Sequence, residues 1–91
     1  MSKYFKFPAE SDLGEGYQYI EFNDRGWPIR QAECYGSRWF NSNTKYHQEL
    51  DSVGLWDRRL TDSGIKLGEV VDAHEFEAAW DLSNQVSVVT G

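Results

Sequence analysis

Two alternating segments around a short polar turn constrain this chain more than any other feature. Tyr17-Gln18-Tyr19-Ile20-Glu21-Phe22 and Trp27-Pro28-Ile29-Arg30-Gln31-Ala32-Glu33-Cys34-Tyr35 flank Asn23-Asp24-Arg25-Gly26. A period of two on either side of an Asn/Asp/Gly turn specifies an antiparallel hairpin. The turn is of the three-residue kind, with Gly26 in the left-handed position of a bulge. Pairing Asn23 with Trp27 sets the faces. Ile20, Phe22, Ala32 and Cys34 fall on one side, the expected core face. Tyr17, Tyr19, Trp27, Ile29 and Tyr35 fall on the other, an amphipathic face shared with Glu21, Gln31 and Glu33. Pro28, which has no N–H to donate, fits an edge or a bulge. Arg30 lands on the core side and needs a carboxylate there. With Glu21 and Glu33 on the opposite face, Glu75 or Glu69 is the expected source.

The rest of the chain adds short elements. Tyr4 to Phe7 reads as a strand that stops before Pro8, and Ala9 to Gly16 as a loop. Gly36-Ser37 turns the chain into a third strand, Arg38-Trp39-Phe40. After the polar turn Asn41 to Thr44, Lys45 to Leu50 reads as a fourth strand. Turns follow at Asp51 to Gly54 and at Asp62-Ser63-Gly64, while Leu55 to Leu60 fits either a strand or a helical turn. One helix stands out: Asp72-Ala73-His74-Glu75 has capping-box spacing, and Ala73, Phe76, Ala79 and Trp80 recur on one stripe. Trp80 is the expected buried anchor, and Asn84 the expected helix end. The reading is α+β: a twisted antiparallel sheet of four to five strands with one C-terminal helix packed on a face. Residues 1–91 form a single domain with its core in 17–82; residues 83–91 are loose or a short strand.

Composition then narrows the function. Four Trp, five Tyr and five Phe among 91 residues give large rings to a chain of 40% hydrophobic residues, which argues for a packed core rather than disorder. No apolar run approaches the ~20 residues of a membrane span, the first residues lack a signal-peptide core, and Cys34 is the lone cysteine. A cytoplasmic protein with no membrane association is expected. Residues 1–45 carry six Lys/Arg and six Asp/Glu, whereas residues 46–91 carry three against nine, so the net charge of −6 lies in the second half. Such a surface repels phosphate backbones, which disfavours direct nucleic-acid binding, and attracts a protein partner with a basic surface.

Candidate chemistry is sparse. His47, Glu49 and Asp51 alternate, but a metal needs three or four converging ligands and His74 stands apart at the helix start. Cys34 sits among core positions and reads as a small hydrophobe. No glycine-rich loop opens a helix. No catalytic, metal-binding or cofactor-binding residue emerges, and a non-enzymatic protein without a cofactor is expected. Trp27, Trp39 and Trp56, with Tyr17, Tyr19, Arg30, Arg58 and Arg59, are residue types that anchor interfaces. Trp56, flanked by Asp51, Asp57 and Asp62, is the preferred contact surface, and Tyr17, Tyr19 and Trp27 form a second aromatic group.

The run Tyr19 to Glu33, with its Glu-x-x-x-x-Gly-Trp-x-x-Arg-x-x-Glu core, resembles a family of small bacterial proteins known only as a domain of unknown function. So do Leu67-Gly68-Glu69 and the helix Glu75-Phe76-Glu77-Ala78-Ala79-Trp80, so that the resemblance covers about residues 17–82. Residues 41–63 depart from its pattern. The resemblance implies a compact α+β fold, carries no catalytic residues, and points by association to immunity or antitoxin partners. Three functions are weighed: a protein that binds and inhibits a basic macromolecule, a small-molecule or peptide binder using an aromatic sheet face, and a small hydrolase or metalloenzyme, whose motifs are missing.

Overall fold

The computed structural model describes residues 2–50, 52–61 and 66–89. It is an α+β fold. Five antiparallel strands, β1 (Lys3–Ser11), β2 (Gly14–Phe22), β3 (Pro28–Tyr35), β4 (Arg38–Asn41) and β7 (Glu69–Val71), form one sheet in the order β4-β3-β2-β1-β7. A two-stranded ribbon, β5 (Tyr46–His47) with β6 (Ser52–Val53), stands apart. Helix α1 (Ala73–Val89) packs across one face of the sheet. Among the described residues, no helix is long and apolar enough to cross a membrane.

The β2–β3 turn forms as its sequence dictates. The Asn23 N–H donates to the Trp27 carbonyl at 2.8 Å, and Asn23 Oδ1 accepts from the N–H groups of Arg25 and Trp27 at 3.0 Å each. Gly26 has a φ of +86°, a left-handed conformation that only glycine adopts cheaply. Beyond the turn the expected register fails. Phe22 opposes Pro28, but Glu21 opposes Arg30, so Ile29 is an extra residue. That one-residue bulge sends every later β3 side chain to the other face. Gln31, Glu33 and Tyr35 join Ile20 and Phe22, while Arg30, Ala32 and Cys34 join Tyr17, Tyr19 and Glu21.

β1 also departs from expectation. It does not stop before Pro8 but runs to Ser11 and returns through a two-residue turn, with Ser11 opposite Gly14. The expected loop at Ala9–Gly16 is therefore mostly strand. Pro8 is tolerated because β7 pairs only with Tyr4, Phe5 and Lys6, leaving β1 as an edge beyond them. Of the expected fourth strand at Lys45–Leu50, only Tyr46–His47 is extended, and it pairs with β6 outside the main sheet. The fifth sheet strand, β7, falls where no strand was expected. The turn at Asp62-Ser63-Gly64 lies outside the described residues.

The core lies on the face away from the helix. Phe5, Phe7, Ile20 and Phe22 are buried there, with Trp56 and Leu60 packed against them. The segment Leu55 to Leu60 is thus neither strand nor helix but an irregular cover. It is tied down where the Leu60 N–H meets the Gly26 carbonyl at 2.7 Å and the Trp56 N–H meets Gln31 Oε1 at 3.0 Å. On the other face, Asp72 caps α1 through Oδ1, which accepts from the Glu75 N–H at 2.8 Å and satisfies a donor the helix cannot use. The buried stripe is Phe76, Ala79 and Ser83. Trp80, expected as the buried anchor, is half-buried beside it, stacked on Phe76 at 6.3 Å, and Ala73 is exposed. Asn84 does not end the helix. Its Oδ1 accepts from Asn41 Nδ2 at 2.8 Å and Asn43 Nδ2 at 3.0 Å, and the helix continues to Val89 in place of the expected loose tail or strand.

Candidate binding surface

The position of α1 decides what the sheet leaves uncovered. Because the bulge puts Glu21 and Arg30 on the helix face as cross-strand partners, the guanidinium has a carboxylate beside it without help from Glu75 or Glu69. Arg30 Nε donates to Glu21 Oε1 at 2.5 Å, and its two terminal nitrogens donate to Glu77 on α1 at 3.1 and 2.6 Å. The Phe76 and Trp80 rings lie 4.9 and 5.2 Å from the guanidinium carbon, within cation–π range. Hydrogen bonding to Glu77 leads the causes that raise the Arg30 pKa, and burial is outweighed. Farther along the helix, Asn41 Nδ2 donates to Ser83 Oγ at 3.0 Å. Two anchors therefore hold α1 over one end of the sheet: the Arg30 cluster and the Asn41 cluster.

The other end of that face stays bare, and aromatic side chains fill it. Alternation places Lys6, Pro8, Tyr17, Tyr19, Cys34 and Trp39 there. Tyr19 and Trp39 stack with centroids 6.3 Å apart. Lys6 Nζ lies 4.3 Å from the Tyr17 ring centre and 5.5 Å from that of Tyr19. Partial burial lowers the Lys6 pKa, but attraction to Tyr19, Tyr17 and Glu75 outweighs it and the net shift is upward. Tyr17 keeps 47% of its surface exposed. Cys34, expected on the core face, is half-buried here; its thiol donates to the Gly36 carbonyl at 3.3 Å, and burial pushes its pKa up. A thiol held protonated is a poor nucleophile.

Carboxylates rim this surface. Glu10 opposes Glu15 at the far end of the β1–β2 hairpin, and Glu69 opposes Lys6 across the β7 edge. From Leu67 to Gly91 there are five acidic residues (Glu69, Asp72, Glu75, Glu77, Asp81) and no Lys or Arg. The acidity of the second half thus belongs chiefly to β7 and α1. The stretch around Trp56 is nearly balanced by Arg58, Arg59 and Lys66.

The residues singled out from the sequence do not form one surface. Tyr17 and Tyr19 come together, with Trp39 beside them. Trp27 is exposed but sits at the opposite end of β2. It pairs with Asn23, six residues from Tyr17, which is about 20 Å at the rise of a strand. Trp56 is on the other side of the sheet, half-buried, its ring stacked 5.3 Å from Phe7 and edge-on to Phe22 at 6.4 Å. Asp57 is exposed, and Asp51 and Asp62 lie outside the described residues. His47 is buried against Phe40 at 5.2 Å, while Glu49 is exposed and bonded to Arg38 at 2.6 Å. Trp39 was legible as an aromatic, but only the β3–β4 register puts it next to Tyr19.

No family model matches this chain, and neither a curated protein nor a solved structure is significantly similar to it. The resemblance to the uncharacterised bacterial family rests on the sequence motifs of residues 17–82 alone.

Proposed function

We propose that this protein is a non-catalytic binding protein that engages, and inhibits or neutralises, a macromolecular partner with a basic surface, in the manner of immunity, antitoxin or anti-defence proteins. The observation that carries this reading is the bare half of the helix-side sheet face, where Tyr17, Tyr19 and Trp39 lie near carboxylates at the hairpin end (Glu10, Glu15) and on the β7 edge (Glu69). Aromatic side chains in the centre of a patch slow dissociation, while charges at its rim speed encounter. This surface replaces the one centred on Trp56, whose ring is committed to Phe7 and Phe22.

A second reading, a small-molecule or peptide site on the same aromatic face, draws on the Tyr19–Trp39 stack. It is the weaker one, because Lys6 already occupies the Tyr17 and Tyr19 rings.

Affinity capture from host lysate at low and high salt tests the proposal. A basic protein retained at low salt and released at high salt is expected, since exposed charge is screened. Tyr17→Ala combined with Trp39→Ala should lower retention, and Asp57→Asn should leave it unchanged. Retention that ignores both salt and the aromatic pair, or turnover of a substrate by the purified protein, would overturn it.

A further inference from the structure

Beside the Tyr17 ring, the far end of the β1–β2 hairpin holds an open groove of about 610 Å³, lined by Pro8, Ala9, Glu10, Glu15, Gly16 and Tyr17. Its walls mix apolar and polar surface about evenly, and two of its six lining residues are carboxylates that oppose each other directly across neighbouring strands. Directly opposed side chains on an antiparallel pair have Cβ atoms about 5 Å apart, and like charges there oppose folding. Both glutamates are exposed, and among the described residues neither has an ion pair. Sheets ordinarily place opposite charges at such positions. Here the nearest lysine, Lys6, is turned to the Tyr17 ring instead, 4.3 Å from its centre.

We infer that this groove receives one arginine or lysine side chain of the partner, its alkyl stem against Pro8 and Tyr17 and its charged head between Glu10 and Glu15. This rests on the basic-partner reading and names its anchor point. Charge complementarity selects the occupant. An aliphatic side chain would leave the two carboxylates repelling each other, and an acidic one would add to the repulsion. A cation relieves it, while its alkyl stem covers apolar surface at Pro8. A second copy of this chain is a poor occupant, since its own surface is acidic. The like-charge pair is then a local cost in the free protein that binding removes.

Amide NMR of the isotope-labelled protein, titrated with N-acetyl-arginine amide, tests the inference; its neutral isostere N-acetyl-citrulline amide is the control. Saturable shifts confined to residues 9–11 and 14–17, produced by the arginine probe alone, are expected. Glu10→Gln with Glu15→Gln should abolish them, and each single change should raise the melting temperature by relieving repulsion. Equal shifts with both probes, no saturable shift, or a melting temperature lowered by both single changes would each overturn the site. The probe needs no partner, so this outcome is independent of the capture experiment. Salt-sensitive capture that the double glutamine variant leaves intact would sink the groove and spare the broader reading.

Discussion

The guanidinium of Arg30 grips the carboxylate of Glu77 at two points, 3.1 and 2.6 Å, and this contact ties the centre of the sheet to the helix. Its third arm takes Glu21, whose side chain is only 8% exposed. Arg30→Met should therefore do more than lose an ion pair, because it strands a buried carboxylate. Breaking such a pair from one side costs about 3–5 kcal/mol when both partners are buried; with Arg30 partly exposed, a loss of about 2–3 kcal/mol in denaturant unfolding is expected. A loss below about 0.5 kcal/mol would mean that Glu21 finds another partner.

Glu77 should also report on pH. Its hydrogen bond with Arg30 holds its pKa below the ordinary carboxylate value; burial opposes this and attraction to the guanidinium adds to it. A depressed folded pKa stabilises the fold above the unfolded value of about 4.3 and stops doing so as pH falls through the folded one. Glu77→Gln should make stability less pH-dependent below about pH 4.3, and leave the dependence above it unchanged. Glu77 is nearly half exposed, so solvent screening keeps the effect small. Parallel acid titrations of unfolding, wild type against variant, would measure it.

The helix stripe gives a ranking. Phe76 is fully buried and touches Tyr4 at 5.3 Å and Trp80 at 6.3 Å. Trp80 keeps part of its surface in water while lying over Arg30. Phe76→Ala should cost about 3–5 kcal/mol, and Trp80→Ala clearly less despite removing the larger ring. Equal melting temperatures for the two variants would contradict this order.

How far the sequence carries can be judged at particular residues. The hairpin turn, the α+β class, the N-cap at Asp72 and the pairing of Tyr17 with Tyr19 follow from local chemistry: turn residues, period two, capping spacing. The faces of β3 do not, because a single extra residue at Ile29 reverses them and nothing in its side chain announces a bulge. That slip alone gives Arg30 Glu21 and Glu77 in place of the expected Glu75 or Glu69, and moves Cys34 out of the core. The helix end was missed because Asn84, a good terminator by propensity, has its amide taken by Asn41 and Asn43. Strand β7 is three residues long and gains its extension only by pairing with β1. The bare aromatic half of the sheet depends on where α1 comes to rest, which is a tertiary fact.

Gly26 provides a local test. Its φ of +86° disfavours any residue with a Cβ by about 1–2 kcal/mol. A Cβ there would meet Arg59 Cγ at 3.4 Å and Leu60 Cβ at 3.7 Å, both ordinary contacts. Gly26→Ala should therefore cost about 1–2 kcal/mol from backbone strain alone, with no added clash. A loss well above 3 kcal/mol in thermal or denaturant unfolding would show that the turn is displaced from the Leu60 backbone as well.

Glu33 and Tyr35 form the deepest polar contact of the core face. The Tyr35 hydroxyl donates to Glu33 Oε1 at 2.8 Å, and Gln18 Nε2 donates to the same oxygen at 3.2 Å, while Glu33 Oε2 is buried with no partner among the described residues. Burial, followed by the hydrogen bond to Glu33, raises the Tyr35 pKa well beyond its ordinary value. A phenol with a raised folded pKa adds stability that is fully present below the unfolded value of about 10 and is lost as pH rises through the folded one. Tyr35→Phe removes the donor and leaves the carboxylate with Gln18 alone, so about 1–3 kcal/mol of stability should disappear at neutral pH. Tyr35→Phe should also flatten the fall in stability above about pH 10, because the titrating hydroxyl is gone. Unfolding by denaturant at neutral and alkaline pH would check both, and a Tyr35→Phe protein as stable as wild type at each pH would remove this contact from the account of the core.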